Sequence, residues 1–547
     1  MRSGPGAARR AATRLVTLVP LAMWQPDPVR AQDAATPGTV RLSSEGSGLA
    51  VEGRLLGYDG TFFRVETPAG PVTVDGARVR CTGDCPDAAV ARIAISGEAG
   101  AADALLADLI AAFAAAEGFA AGRTPEGLAL SRDGRLVLKI ALRATVTEEG
   151  FADLLAGEAD MVLARRPVRP LEAALARDAG LGDLSDPLRV RVLPGGALAA
   201  IVAPGNPVRS LTLPQLAAIF SGALDDWAEL GLGGEGAVRL HLAGAEDATA
   251  QGFDDGVMVP AGLSLDEGSI ERHADESALA AAVAADPGAI GIVRLAEVGP
   301  ARALALGGGC APAAAPTPFG IASGDYPLAA PLLLYLPAMP LPGPARDLAV
   351  WLGSEEASAL ARGEGGGSAA APVPFDAQAG RIAAGVAMAT ETELPALKEA
   401  VAALAGHMRL PETFRFEEGS ARLDAIGESD AARLAARLAR GEFDGKRLLF
   451  AGFSDAPGEA DARLSRLRAG VLRDHVVDLA GGPAAAALRA AGFGAALPVA
   501  CSDTVWGRHA NRRVELWIAE DEGLPAQGDV LEGDRAGRDG PSNGRGG

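Results

Sequence analysis

Histidine, cysteine and aromatic side chains are scarce in this chain of 547 residues, which has five His, four Cys and only 4% Phe, Trp and Tyr. The histidines (His241, His273, His407, His475 and His509) show no HExxH or comparable ligand spacing, so they read as surface or packing residues, with no metal site. A Walker A lysine loop and a G-x-S-x-G nucleophile elbow are both missing. The stretch "GLGGEG" at 231–236 lacks the strand-to-helix setting of a dinucleotide site. The expectation is therefore a non-enzyme without a cofactor. An excess of positive charge is also missing. The net charge is −20, and residues 1–31 carry five Arg against one Asp, so the remainder is more acidic still. Such a chain is a poor nucleic-acid binder, because phosphate contacts need clustered Lys and Arg, and it is repelled by anionic membranes. Beyond the N-terminus no apolar run is long and uncharged enough to span a bilayer. No internal repeat is found.

What is present begins with an export pattern. Arg2, Arg9, Arg10 and Arg14 precede the apolar "LVTLVPLAMW", and "VRA" before Gln32 fits a cleavage site, so 1–31 is expected to be a signal peptide and the location the periplasm. Four cysteines suit an oxidising compartment. Cys81 and Cys85 flank Gly83 in "CTGDCP", a turn that can close as a disulfide; a metal site is the rival, disfavoured by the lack of a nearby His. Cys310 and Cys501 either pair or stay free, and spacing does not decide. Residues 40–88 alternate apolar and polar positions between Gly and Asp-Gly turns, predicting a small SH3-like β-module. From about 90 to 362 strands alternate with helices, the pattern of a mostly parallel α/β sheet. "RGEGGGSAAAPVP" marks a linker over 363–374, 375–409 reads as a helical connector, and 410–520 returns to strands and helices, with "AAALRAAGFG" read as a helix running into a turn. Residues 521–547 lack periodicity and read as a disordered tail.

The blocks "ADMVLARRPV", "LAAIVAPGNPVRSLTLPQLAAIFSGALDDW", "DPGAIGIV" and "YPLAAPLLLYLP" resemble the PstS-like, phosphate-type periplasmic substrate-binding proteins. The resemblance implies a two-lobed periplasmic-binding-protein type II fold that closes by a hinge on an anion, held by backbone N–H groups and hydroxyls. It places Ser96, Gly97 and Gly100 at the first anion turn and Thr249 at the second. Glu98 stands beside that first turn, and Asp247 stands where the family has a hydroxyl. The carboxylate added at Asp247 is costly in a dry anion site unless it is protonated or paired, and Arg165 and Arg166 can supply the pairing.

The ordered set "FRFEEGSARLD … LLFAGFSDAPGEADARLSRLRAGV … GRHANRRVELW" resembles the OmpA-like peptidoglycan-binding domain. That family recognises the diaminopimelate of the stem peptide, a zwitterion that needs a fixed carboxylate for its ammonium and a guanidinium for its carboxylate. The resemblance assigns these roles to Asp455 and Arg468, with Arg512 or Arg513 lining the same pocket, though one of the two instead braces the final strand. Phe453, Ser454 and Asp461 replace the family's usual His, Thr and Asn, and the following loop is about two residues short. The expected protein is thus a multidomain α/β and α+β chain: a small β-module, a two-lobed solute-binding domain for an anion such as phosphate, and an OmpA-like α/β sandwich that holds it to peptidoglycan. The rival expectations are a transport component that delivers phosphate to an ABC permease, and a structural wall adaptor whose cleft binds nothing.

Overall fold

The computed structural model describes residues 39–520, apart from 45–49, 59–61, 77–78, 86–89, 99–104, 194–195, 245–246, 340, 365–369, 392 and 483–485. The expected signal peptide, the 521–547 tail and much of the 363–374 linker lie outside the described residues. The chain divides into two compact units, Met1–Ala89 and Val90–Gly547.

In the first unit five antiparallel strands form one sheet in the order Gly70–Asp75, Phe62–Thr67, Ala50–Tyr58, Thr39–Ser44, Val79–Gly83. Strand alternation turns Val40, Leu42, Phe63 and Val65 inward and leaves Thr39 and Arg41 in water. Cys81 and Cys85 are joined by a disulfide.

The second unit begins with two α/β lobes. The first holds a seven-stranded sheet in the order Val190–Leu193, Leu332–Tyr335, Met161–Ala164, Ala91–Glu98, Arg135–Thr145, Gly127–Arg132, Ala120–Thr124. Its centre is parallel: Ala91–Glu98 runs alongside both Met161–Ala164 and Arg135–Thr145. "MVLA" is buried at every position, as expected of a strand covered on both faces. The second lobe holds five strands in the order Ile270–His273, Arg239–Ala243, Ala289–Arg294, Leu198–Val202, Arg302–Ala303, and "LAAIV" is likewise wholly buried. The chain crosses between the lobes after Leu193 and returns before Leu332. The two crossing segments bond to each other, Leu198 N–H to Leu328 C=O at 2.9 Å and Ala330 N–H to Gly196 C=O at 3.0 Å, which makes a two-stranded hinge.

The C-terminal part is a sheet in the order Val373–Pro374, Met408–Arg415, Arg513–Glu520, Lys446–Gly452, Ala487–Gly492. Helices Ala425–Ala439 and Glu459–Leu479 bury Leu434, Leu438, Leu472 and Val476 against one face. Helices Ala379–Met388 and Leu394–Leu404 cover the other face around Trp517. The segment expected to be helical at "AAALRAAGFG" is instead the strand Ala487–Gly492, parallel to Lys446–Gly452. Ala-rich propensity yields here to sheet pairing. The same strand lies so close to the helix that a Cβ on Gly492 would sit 2.3 Å from the Arg466 nitrogen.

Composition suggests a flexible connection around 363–374, yet the C-terminal part is fastened to both lobes. On the second lobe Cys310 is disulfide-bonded to Cys501, and Arg409 forms an ion pair with Asp325 at 2.6 Å. There too, Arg415 donates to the carbonyls of Ser323 at 3.0 Å and Gly324 at 2.8 Å. On the first lobe Ala425 and Ile426 pack onto the cluster of Leu181, Leu184, Val190 and Val192. Any opening of the two lobes would therefore have to slide the first lobe across the C-terminal helices. Ile426→Asp, which places a charge in that contact, is expected to increase the fraction of open lobes, measured as a larger radius of gyration by X-ray scattering.

Candidate functional site

The cleft between the lobes lies at the carboxyl ends of the central strands, where open α/β sheets place ligands. Ser96 and Gly97 end the strand Ala91–Glu98. Gly97 has φ +116°, and a Cβ there would meet the Leu163 carbonyl at 2.1 Å, so only glycine fits beside the neighbouring strand. Gly100 lies outside the described residues. Ser96 is buried and donates its hydroxyl to Asp153 at 2.6 Å. Glu98, 2% exposed, forms an ion pair with Arg165 Nε at 2.8 Å. The arginine therefore neutralises an internal carboxylate. Thr249 donates its hydroxyl to buried Glu276, which also holds Arg294 at 3.0 Å. Asp247 serves as the N-cap of the helix Ala248–Phe253, accepting from the Thr249 N–H at 2.8 Å. Each side-chain donor expected to hold an anion is thus engaged by a carboxylate of the protein itself.

Ion pairs also cross the cleft. Arg166, on the first lobe, holds Glu172 through two bonds of 2.8 and 2.7 Å and reaches Asp255 of the second lobe at 3.1 Å. Arg169 joins Asp255 and Glu148. Burial works against the Arg166 charge, but Glu172 and Asp255 outweigh it and hold the guanidinium above its usual range. Nothing in "GFDDGV" marks Asp255 as a cross-lobe contact, and sequence reasoning misses it.

In the C-terminal part Asp455 follows the strand Lys446–Gly452, and Arg512 ends the helix Val505–Asn511. Arg512 Nη1 donates to Asp455 Oδ2 at 3.0 Å. Arg468 is fully buried on the helix Glu459–Leu479. Its Nε donates to the Ser420 carbonyl at 2.8 Å, its Nη2 to that of Glu417 at 3.3 Å, and its plane lies 5.3 Å from the Phe416 ring. Its Nη1 is buried with no hydrogen-bond partner among the described residues. Burial, reinforced by Arg512, pulls the Arg468 pKa down to about 10, against the opposing pull of Asp455 and Asp461. The group stays charged at neutral pH. Asp455 and Arg512 are thus ion-paired, and both charges act on Arg468, whose guanidinium is buried. Arg513 separates from them. It is fully buried, bonds Glu515 at 2.7 Å and the Leu497 carbonyl at 2.7 Å, and lies 4.3 Å from the ring of Phe453, where it braces the last strand.

Residues 88–356 match the family model of a PBP superfamily domain. Protein SphX of Synechococcus elongatus is 25% identical over 209 residues, 36% of this chain and 60% of that protein, so the chain spans under two thirds of that relative. Among solved structures, an ABC-type phosphate transport receptor from Vibrio cholerae is 21% identical, covering 50% of this chain and 98% of its own, with a TM-score of 0.39. A possible phosphate binding protein from Planctomyces limnophilus is 20% identical, covering 50% and 92%, with a TM-score of 0.37. The middle of the chain is thus a PBP-like two-lobed domain, built on the hinge and cleft described above.

Proposed function

We propose that this is a periplasmic solute-binding or sensing protein of the cell envelope, held non-covalently to peptidoglycan by its C-terminal domain. The observation that carries the anchor is the Asp455–Arg512 ion pair, whose two charges both act on Arg468, together with an Arg468 Nη1 that has no hydrogen-bond partner among the described residues. A diaminopimelate side-chain terminus offers an ammonium for Asp455 and a carboxylate for the guanidinium, and each such charge-assisted contact contributes roughly 1.5–3 kcal/mol. The PBP-like domain supplies the solute cleft. Retention of the full chain on purified sacculi, with solute binding measured on the same sample, tests the two halves together.

One observation favours the adaptor reading, in which the cleft binds nothing: Asp153, Glu98 and Glu276 already occupy its donors. A multiply charged anion has to displace Glu98 from Arg165 or sit against it. Calorimetry with phosphate at neutral pH is accordingly expected to show nothing tighter than about 10 μM. Glu98→Ser frees Arg165 and is expected to tighten phosphate binding about tenfold or more. Submicromolar binding by the unmodified protein would contradict this and favour a transport receptor that serves an ABC permease.

A further inference from the structure

The histidines have no ligand spacing in sequence, but strand pairing creates one in space. Arg239–Ala243 and Ile270–His273 run parallel at the edge of the second lobe's sheet, in a register that sets His241 opposite Glu271 and Ala243 opposite His273. With a side-chain period of two, His241, Glu271 and His273 share one face. His241 is 4% exposed, while Glu271 reaches into solvent. His241 Nδ1 lies 2.9 Å from His273 Nε2, and the Glu271 carboxylate stands 3.9 Å from each of these nitrogens. The three donor groups form a triangle within 4.8 Å.

We propose that His241, His273 and Glu271 bind a late first-row divalent cation, with zinc as the working probe. Two imidazoles and one carboxylate are a donor set for such ions, and the open side at Glu271 leaves room for water as a fourth ligand. Tetrahedral bonds of about 2.0–2.1 Å place neighbouring donors roughly 3.3 Å apart. The imidazoles therefore have to open by about 0.4 Å and the carboxylate to close by a little more, through rotation of an exposed Glu side chain. A hydrogen-bonded histidine pair alone has no need of a carboxylate equidistant from both nitrogens. The neighbouring Asp286 adds negative charge, and the two arginines of these strands are already paired, Arg239 with Asp286 and Arg272 with Glu267. His241 Nε2 is buried without a hydrogen-bond partner among the described residues, so no acceptor strengthens this ligand from behind. That sets the expected affinity in the micromolar range rather than lower. The bound ion would fasten the edge strand to its neighbour.

The full chain, stripped with chelator and dialysed, is titrated with zinc by calorimetry and with cobalt by visible absorption. One zinc per chain is expected, with a Kd on the order of 1–100 μM, together with a raised melting temperature. His273→Ala should weaken binding at least about tenfold and Glu271→Gln several-fold. The double variant His475→Ala/His509→Ala, which removes the two histidines paired with Glu428 and Asp424, should bind as the parent does. His273 sits on an edge strand, and circular dichroism verifies that its variant is folded. Unchanged affinity and stoichiometry in folded His273→Ala, or no binding by the parent at about 1 mM zinc, would overturn the proposal and leave only a hydrogen-bonded histidine pair.

Discussion

Glu515→Gln is expected to destabilise the C-terminal domain by about 3–5 kcal/mol, the cost of breaking a buried ionic network from its centre. Glu515 is fully buried, and three arginines converge on it: Arg381 at 2.7 Å, Arg513 at 2.7 Å and Arg409 at 3.4 Å, with the Trp517 indole N–H also donating at 3.0 Å. Burial pushes its pKa up, but the arginines prevail and hold it well below the usual carboxylate range. Removing that charge leaves buried guanidinium groups short of a counter-ion. Because Arg409 also holds Asp325 on the second lobe, the loss reaches the contact between that lobe and the C-terminal part. Denaturant unfolding of the variant should show the C-terminal core melting early, and limited proteolysis should cut it first. Parent-like unfolding would show that the network contributes little. The pH dependence follows from the sign of the shift. A depressed carboxylate pKa contributes stability above the unfolded value of roughly 4.3 and loses it as pH falls through the lower folded value. The network should therefore be constant from about pH 5 to 8 and fail only in acid.

The second large effect concerns the anchor. Asp455→Asn and Arg468→Lys should each lower affinity for diaminopimelate-type sacculi about tenfold or more, as the loss of one charge-assisted contact requires. Asparagine keeps the shape of Asp455 but frees Arg512 and loses the ammonium site. Lysine keeps the charge at 468 but not the planar fork, two of whose nitrogens are committed to the carbonyls of Ser420 and Glu417. Arg468→Ala is a poorer probe, because it also strips packing from Phe416 and releases the 417–420 loop. Arg463, largely exposed on the same helix, is the control, and Arg463→Ala should bind as the parent does. Equal loss in all three variants would point to a general charge effect instead of a pocket.

The sequence shows the local elements and conceals their couplings. Strands such as "MVLA" and "LAAIV" are legible because burial on both faces demands continuous apolar runs. The strand Ala487–Gly492 is not, because its alanines favour helix and only its partner strand overrides them. In the cleft the residue types are readable but their pairing is less so. Arg165 and Arg166 read as bases able to pair the carboxylate of Asp247, but Arg165 pairs with Glu98, Arg166 with Glu172 and Asp255, and Asp247 caps a helix. The fastening of the C-terminal part to the second lobe is only half legible: a Cys310–Cys501 pair is one of two readings that spacing leaves open, and Arg409 and Asp325 carry no motif. Arg512 and Arg513 are adjacent and both buried, yet one reaches Asp455 and the other bonds Glu515, a difference of partner that sequence does not show.

The most direct measurement is co-sedimentation of the full chain with two kinds of purified sacculi, one with meso-diaminopimelate and one with lysine at the third position of the stem peptide. The lysine form keeps the ammonium for Asp455 and lacks the carboxylate for Arg468. Saturable pelleting with the diaminopimelate form, release by free meso-diaminopimelate, and binding to the lysine form weaker by about tenfold or more are the predicted results. Equal pelleting with both forms, or with neither, would contradict a peptidoglycan anchor built on Asp455 and Arg468.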